Sequence, residues 1–345
     1  MTHTSDIDFV LLWVDGADPA WRAEFARYRA AARPAAATPA TGTPAADGTD
    51  ASEQRYRDWG LLRYWFRGAE RFAPWVRRIH LVTWGHLPPW LDRTHPKLRI
   101  VRHTDYIPAE WLPTFNSNVI ELNLGRLEGL AERFVLFNDD TLLTAPCRAS
   151  DFFRRGLPCD MARLSIVRPS CVAQTILNDL ELINRLHPRR DLDRCLGKWL
   201  SPRYGLGNLL KTLSLLPWSF FPGFFDPHMP QAYLRTSFLR AWEQWGPELA
   251  AACRNRFRAP SDLSHWLVRY DALCRGEFMP RNFADTLLSD LDDRSIERVC
   301  RAVESGSRRM VCLNDSTDIA DFDRSQQRLA AAFERLLPRK SAYEL

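Results

Sequence analysis

The sequence predicts an α/β fold, a mixed or mostly parallel sheet with helices on its faces and a helical insertion. Three observations predict it. Apolar runs of strand length alternate with stretches of helical periodicity through the first 140 residues. The first of these runs, Phe9 to Val14, is unbroken, as expected of a strand covered on both faces. Several runs end in acidic turns, and in open α/β sheets ligands bind beyond the carboxyl ends of the strands.

Taken in order, "DFVLLWVDG" reads as a buried strand ending at Asp15-Gly16. "DPAWRAEFARYRAAA" reads as a helix with Asp18 as N-cap and Pro19 at its first position. Residues 33–54 are rich in Ala, Pro, Thr and Gly and read as a flexible loop. Leu61, Leu62, Trp65 and Phe66 recur at helical spacing, and "RRIHLVTWG" follows as a strand. "PPWLD" is expected to begin a short helix and "KLRIVRHTDYI" to form a strand. "NSNVIELNLGRLEGLA" is expected to be helical, and "RFVLFNDD" a fourth strand.

The remainder is less regular. Residues 1–32 and 55–150 are assigned to the catalytic α/β core, 151–225 to a helical insertion and 226–345 to the rest of the core. Helices are predicted in "AQTILNDLELINRLH", "PQAYLRTSFLRAWEQWGPELAAAC", "DLSHWLVRYDALCRG" and "SQQRLAAAFERLLPR", and a strand in "SRRMVCLNDS".

Composition narrows the function. The 345 residues carry a net charge of +5, without the dense Lys/Arg clustering of a nucleic-acid binder. Arginine predominates among the basic residues, which suits planar oxyanions such as phosphate and equally an ordinary solvated surface. The eight cysteines form no C-x-x-C pair and are expected to be reduced, mostly buried thiols. The N-terminus lacks the features of a signal peptide, and no apolar stretch is long enough to span a bilayer. A cytoplasmic protein is expected, with peripheral association at the inner membrane face left open by the apolar segment "LLPWSFFPGFF" (215–225). Core or pocket wall is the first reading of that segment.

Three predicted strands end in acid-bearing turns: Asp15-Gly16, Asn138-Asp139-Asp140 and Asn314-Asp315. If those strands share a sheet, their ends form one site. Carboxylates and amide carbonyls are the hard oxygen ligands of Mg²⁺ and Mn²⁺, so Asp139 and Asp140 are candidate metal ligands. Such a pair also suits a GT-A-like, Rossmann-like glycosyltransferase holding a metal against a diphosphate. The sequence has no G-x-x-x-x-G-K-[ST] loop, no G-x-G-x-x-G after a strand and no G-x-S-x-G, which disfavours a P-loop kinase, a dehydrogenase and an α/β-hydrolase.

Several segments together resemble the Stealth family, which includes bacterial capsular-polysaccharide phosphotransferases and the GlcNAc-1-phosphotransferase catalytic subunit. "DFVLLWVDGADPAW" resembles its opening motif. "APWVRRIHLVTWGHLPPWLD" and "LPTFNSNVIELNLGRLEGLAERFVLFNDD" resemble its second conserved region. "FDPHMPQAYLRTSF" with "NRFRAPSDLS" resembles its third, and "MVCLND" its fourth.

The resemblance implies transfer of a hexose-1-phosphate, GlcNAc-1-phosphate or similar, from a nucleotide diphosphate sugar such as a UDP-sugar to a glycan hydroxyl, with UMP released. It implies Mg²⁺ or Mn²⁺ as cofactor. It carries over Asp140, Glu121, His228 and Arg258 as catalytic residues. Asp15, Gly16, Arg57, Asn116, Asn138, Asn314 and Asp315 are placed with substrate. His228 is assigned as base and Arg258 as phosphate clamp; Asp140 as base, with His228 on the leaving group, is the alternative. Two features depart from the family pattern: Trp59-Gly60 replaces an acidic patch, and His86 stands where Gln is common. A glycosyltransferase releasing UDP and a non-catalytic glycan-binding protein are the competing readings.

Overall fold

A computed structural model describes residues 6–32, 57–316 and 318–345. The Ala/Pro-rich segment 33–54 lies outside the described residues.

The central strand is β1, Ile7–Leu12. It pairs in parallel with β2 (Ile79–Thr83) on one side and β4 (Arg133–Phe137) on the other. β3 (Leu98–Arg102) extends the sheet in parallel beyond β2. A fifth strand, β8 (Gln231–Leu234), closes the far edge antiparallel to β4, giving the order β3-β2-β1-β4-β8. The continuous apolar runs follow from this position. Phe9 and Leu11 of β1 and Val135 and Phe137 of β4 enter one core. Val10, Phe134 and Leu136 point into the core on the opposite face.

α1 (Pro19–Ala32) begins as predicted, with the Trp21 N–H donating to Asp18 Oδ1 at 2.8 Å. α2 (Leu62–Phe72) lies against a second sheet of three strands, β5 (Thr141–Leu143), β11 (Met310–Asp315) and β10 (Thr286–Leu291). Gly68 permits that approach: a Cβ there would sit 2.8 Å from the Leu143 carbonyl oxygen. α3 (Ser117–Leu122) is followed by a single 3₁₀ turn, shorter than its periodicity suggested.

Beyond β5 come α4 (Ala149–Phe152), β6 (Phe153–Arg154) and β7 (Leu157–Asp160). The 151–225 region continues with helices α5 (Ala173–Leu186), α6 (Leu196–Trp199) and α7 (Leu206–Leu215). β8 leads directly into α8 (Arg235–Cys253), then α9 (Trp266–Cys274) and β9 (Met279–Pro280), which pairs with β7. α10 (Ile296–Ser305) and α11 (Phe322–Leu336) flank the second sheet, and the Asp321 side chain caps α11.

Four expectations change. "PPWLD" is a turn with an isolated bridge from Leu91 to Glu344, a partner supplied from the other end of the chain. "PQAYL" is strand β8 rather than the start of a helix, because the edge of β4 offers it hydrogen bonds. The three acidic strand ends do not share one sheet: β1 and β4 belong to the first and β11 to the second. Within 215–225, Phe221 and Phe224 are core residues, whereas Trp218 and Phe220 are exposed.

One charge is sealed into the first sheet. Asp8 on β1 is fully buried and accepts from Arg77 Nε at 2.8 Å and Nη2 at 2.6 Å, and from the Ala131 N–H at 2.9 Å. It also contacts His80 Nε2 at 2.9 Å. Burial pushes its pKa up, but these partners outweigh that and hold it below the ordinary carboxylate value.

Candidate active site

The strand order reverses at β1, with β2 on one side and β4 on the other. The carboxyl ends there form the crevice where doubly wound sheets place ligands. A cleft of about 870 Å³ opens at this point, lined by Trp13, Asn138, Asp139, Asp140 and residues from many other stretches of the chain.

The acidic turn is held from both sheets. After β4 the chain turns through Asn138-Asp139-Asp140 straight into β5. Thr141 ties the turn, its hydroxyl donating to the Asn138 carbonyl at 2.7 Å and accepting from the Asn138 N–H at 3.1 Å. From the second sheet, the Leu313 N–H donates to the Asp140 carbonyl at 2.9 Å. This contact brings Asn314 and Asp315 onto the same cleft although their strand lies in another sheet.

Asp140, His228 and Cys312 each offer a ligand atom, all within 4.8 Å of one another. Asp140 Oδ1 is buried and has no hydrogen-bond partner among the described residues. Burial raises the Asp140 pKa, opposed by His228. Asp139 opens to the cleft and is pushed up to about 8 by desolvation, Asp140 and Asp58. An orphaned carboxylate oxygen among three acids fits a cation. The Asp140 carboxylate suits a hard ion such as Mg²⁺ or Mn²⁺. Burial pushes the Cys312 thiol well above its ordinary value, so it stays protonated and is a poor ligand for one. Asp139 lies outside the group of atoms that converge, so Asp140 is the better placed of the predicted pair.

Glu121 projects from α3 and is buried. Desolvation pushes its pKa up to about 7, with Arg258 lowering it and Asp140 raising it. Arg258 reaches the same wall, its Nη2 donating to Ser117 Oγ at 2.6 Å. His228 is exposed and has φ of 50°, a left-handed conformation that costs a non-glycine residue. Asp140, Glu121, His228 and Arg258, drawn from separate stretches of chain, therefore line one cleft.

The residues placed with substrate divide. Asn138, Asn314, Asp315 and Arg57 line the cleft. Arg57 and Asp315 also satisfy each other through a two-point ion pair, with Trp59 Nε1 donating to Asp315 Oδ1 at 3.1 Å. Asn314 donates to Asp290 Oδ1 at 3.0 Å. Asn116 is fully buried: it caps α3 through the Asn118 N–H and donates to Asp262 Oδ2 at 2.9 Å. Asp15 and Gly16 follow Val14 of the lining but are not lining residues themselves. The Asp15 N–H donates to His86 Nε2 at 2.6 Å, so His86 acts on the site through the β1 turn. That bond needs a neutral ring, and burial lowers the His86 pKa.

Sequence reading missed His265, Tyr233 and His103, and it matched Asp58 to the family pattern without giving it a place in the site. His265 Nε2 lies 3.7 Å from Glu121 Oε2, while its Nδ1 meets the Tyr233 hydroxyl at 2.6 Å. Burial, with His228 and nearby arginines, lowers the His265 pKa to about 3, so the ring is neutral. His103 is likewise lowered to about 4 by burial. The burial of Asp58 raises its pKa. Only tertiary contact marks the two histidines; Asp58 had a signal, its place next to Arg57.

Carboxylates, histidine and arginine gathered beyond the ends of a parallel sheet define an α/β protein with a polar ligand cleft at its switch point. The family follows from sequence comparison. Stealth protein conserved region 1 matches residues 5–32 and conserved region 2 matches residues 55–159. The chain is 38% identical over 352 aligned positions to a capsular polysaccharide phosphotransferase, WcwK, of Streptococcus pneumoniae, covering 100% of this chain and 99% of that one. It is 36% identical to the receptor polysaccharide phosphotransferase WefC of Streptococcus oralis, covering 98% and 99%. Against the exopolysaccharide phosphotransferase cps2G of Lactiplantibacillus plantarum it is 34% identical, covering 98% and 96%. The chain belongs to the Stealth protein family, and the relatives it matches end to end are phosphotransferases.

Proposed function

We propose that this protein is a polysaccharide phosphotransferase. It moves a hexose-1-phosphate from a nucleotide diphosphate sugar, a UDP-sugar, onto a hydroxyl of a capsular or exopolysaccharide glycan in the cytoplasm. The acceptor oxygen forms a bond to the sugar-side phosphorus. The bond from that phosphorus to the bridging oxygen breaks, UMP leaves with that oxygen, and the product is a phosphodiester. The observation that carries this reading is the convergence of Asp140, Glu121, His228 and Arg258 on one cleft, in a chain whose full-length relatives are phosphotransferases.

Phosphoryl-type transfer asks a protein mainly for positioning and for charge stabilisation. Arg258, steadied by Ser117, presents a guanidinium to the transferring phosphate. His228 takes the acceptor proton; its ring is exposed where a hydroxyl can reach it. Glu121, with a pKa of about 7, can carry or release a proton near neutrality. Asp140 would hold Mg²⁺ or Mn²⁺, with the charge of Asp139 in support, and the ion would neutralise diphosphate oxygens.

The test is nucleotide release from a panel of diphosphate sugars with a glycan acceptor, with Mg²⁺ or with EDTA. UMP release that EDTA abolishes is expected. UDP release would instead make this a glycosyltransferase, and glycan binding with neither donor turnover nor donor binding would make it a non-catalytic glycan-binding protein.

A further inference from the structure

We propose that the surface formed by α7 and residues 217–220 docks onto an anionic lipid bilayer. Five of the ten residues of α7 are leucine, yet Thr212 is the only one of the ten that is buried. Leu209 and Leu215 are half-buried and turn toward the core. Leu206, Leu210 and Leu213, at helical spacing, face outward. They continue into Trp218 and Phe220, and all five side chains are between 40% and 72% exposed. A helix apolar on both faces is unusual at a water surface, and contiguous exposed apolar groups mark a contact.

Neighbouring chain enlarges the patch. The Ser165 N–H donates to the Gly223 carbonyl at 3.0 Å, and Arg163 Nη1 donates to Asn208 Oδ1 at 2.8 Å. Between them these bonds set exposed Ile166 and Arg168 beside the apolar segment.

Charge selects the occupant. From Arg194 to Phe225 there is no Asp or Glu, while Arg194, Arg203 and Lys211 are exposed. The next acid, Asp226, is neutralised by Arg269 at 2.7 Å and accepts from the Tyr270 hydroxyl at 2.7 Å. Leucines and aromatic side chains on a stretch of chain that carries cations and no acid suit the headgroup–acyl boundary of an anionic membrane, which rewards buried apolar area and positive charge together. No helix among the described residues is long and apolar enough to cross a membrane, so the contact is interfacial. The same loop runs on to Cys171 and Val172 in the cleft wall, so docking carries the cleft to the membrane surface. The inference does not depend on the proposed reaction.

Co-sedimentation with phosphatidylglycerol-containing vesicles and with pure phosphatidylcholine vesicles tests it on the full chain. The wild type should pellet with the anionic vesicles and release as salt rises. Leu206→Ser/Leu210→Ser/Leu213→Ser should lower partitioning by about a hundredfold, with an unchanged circular-dichroism melt. Arg203→Glu/Lys211→Glu should lower it by about tenfold at low salt. A wild type that stays in the supernatant at low salt overturns the proposal, as do variants that pellet like wild type. A wild-type dimer in sedimentation velocity that the leucine variant converts to a monomer also overturns it, in favour of a second copy on this face.

Discussion

The two ends of the same pair of strands treat acid in opposite ways. At the amino end of β1, Asp8 is sealed in and fully answered: a two-point arginine, a histidine and a backbone N–H hold its pKa down. At the carboxyl end of β4, Asp139 and Asp140 are crowded, with Asp58 and Glu121 near by, and their pKa values are driven up. Burial pushes the pKa up at both ends, although Asp139 itself opens to the cleft. The difference lies in the partners: the first end is answered by a two-point arginine, whereas at the second His228 and Arg258 only partly offset the burial. A structural acid is completed within the fold, whereas an acid poised for a ligand stays incomplete until that ligand arrives.

The sharpest way to test the contrast is to neutralise one acid at each end. Asp140→Asn is expected to lower turnover at least about a thousandfold in the nucleotide-release assay. Its melting temperature should hold or rise, because a poorly compensated charge is removed. Asp8→Ala should do the reverse. Stranding Arg77 and His80 should cost about 3–5 kcal/mol in urea unfolding, with turnover per folded molecule unchanged.

The pH dependence should also split. Glu121 and Asp139 have folded pKa values near 7 and 8, above their unfolded values. The folded protein therefore binds more protons than the unfolded one between about pH 4 and 8, and metal-free stability falls as pH rises through that window. Glu121→Gln should flatten the slope and gain on the order of 1–3 kcal/mol at pH 8 by thermal melting. The depressed pKa of Asp8 gives stability that is present above the unfolded carboxylate value and lost as pH falls below it. Acid unfolding should therefore be delayed in the wild type relative to Asp8→Ala.

Two smaller effects probe the frame around the site. Gly68→Ala drives a methyl group against the Leu143 carbonyl and should cost about 1–3 kcal/mol by separating α2 from β5. Replacing His228 should abolish turnover with either Ala or Asn. Asn tolerates the left-handed backbone better, so the Asn variant should be the more stable by roughly 1 kcal/mol.

Much of the frame was legible in one dimension. The unbroken run of β1 announced a strand covered on both faces, and Asp18-Pro19 announced the start of α1. β5, with three residues, was too short to give a period, and β8 was hidden because it flows directly into α8. The turn at 88–92 depends on Glu344, which no local window contains. Within the site, Asp140, Glu121, His228 and Arg258 were found through resemblance to a family, since an isolated acid or histidine carries no sign of its neighbours. His265 and Tyr233 escaped because only the packing of β8 against the His265 segment brings them together.

By itself, then, the sequence determined the parallel strands, the start of α1 and the residue types beyond the strand ends, because backbone period and local capping act within a few residues. Tertiary structure decided which acids are answered and which are left in need. That choice depends on Arg77 reaching back to Asp8 and on β11 drawing Asn314 and Asp315 to the Asp140 turn. Electrostatic compensation acts across space, between residues as far apart in the chain as Asp8 and Ala131, so it is written only in the folded form.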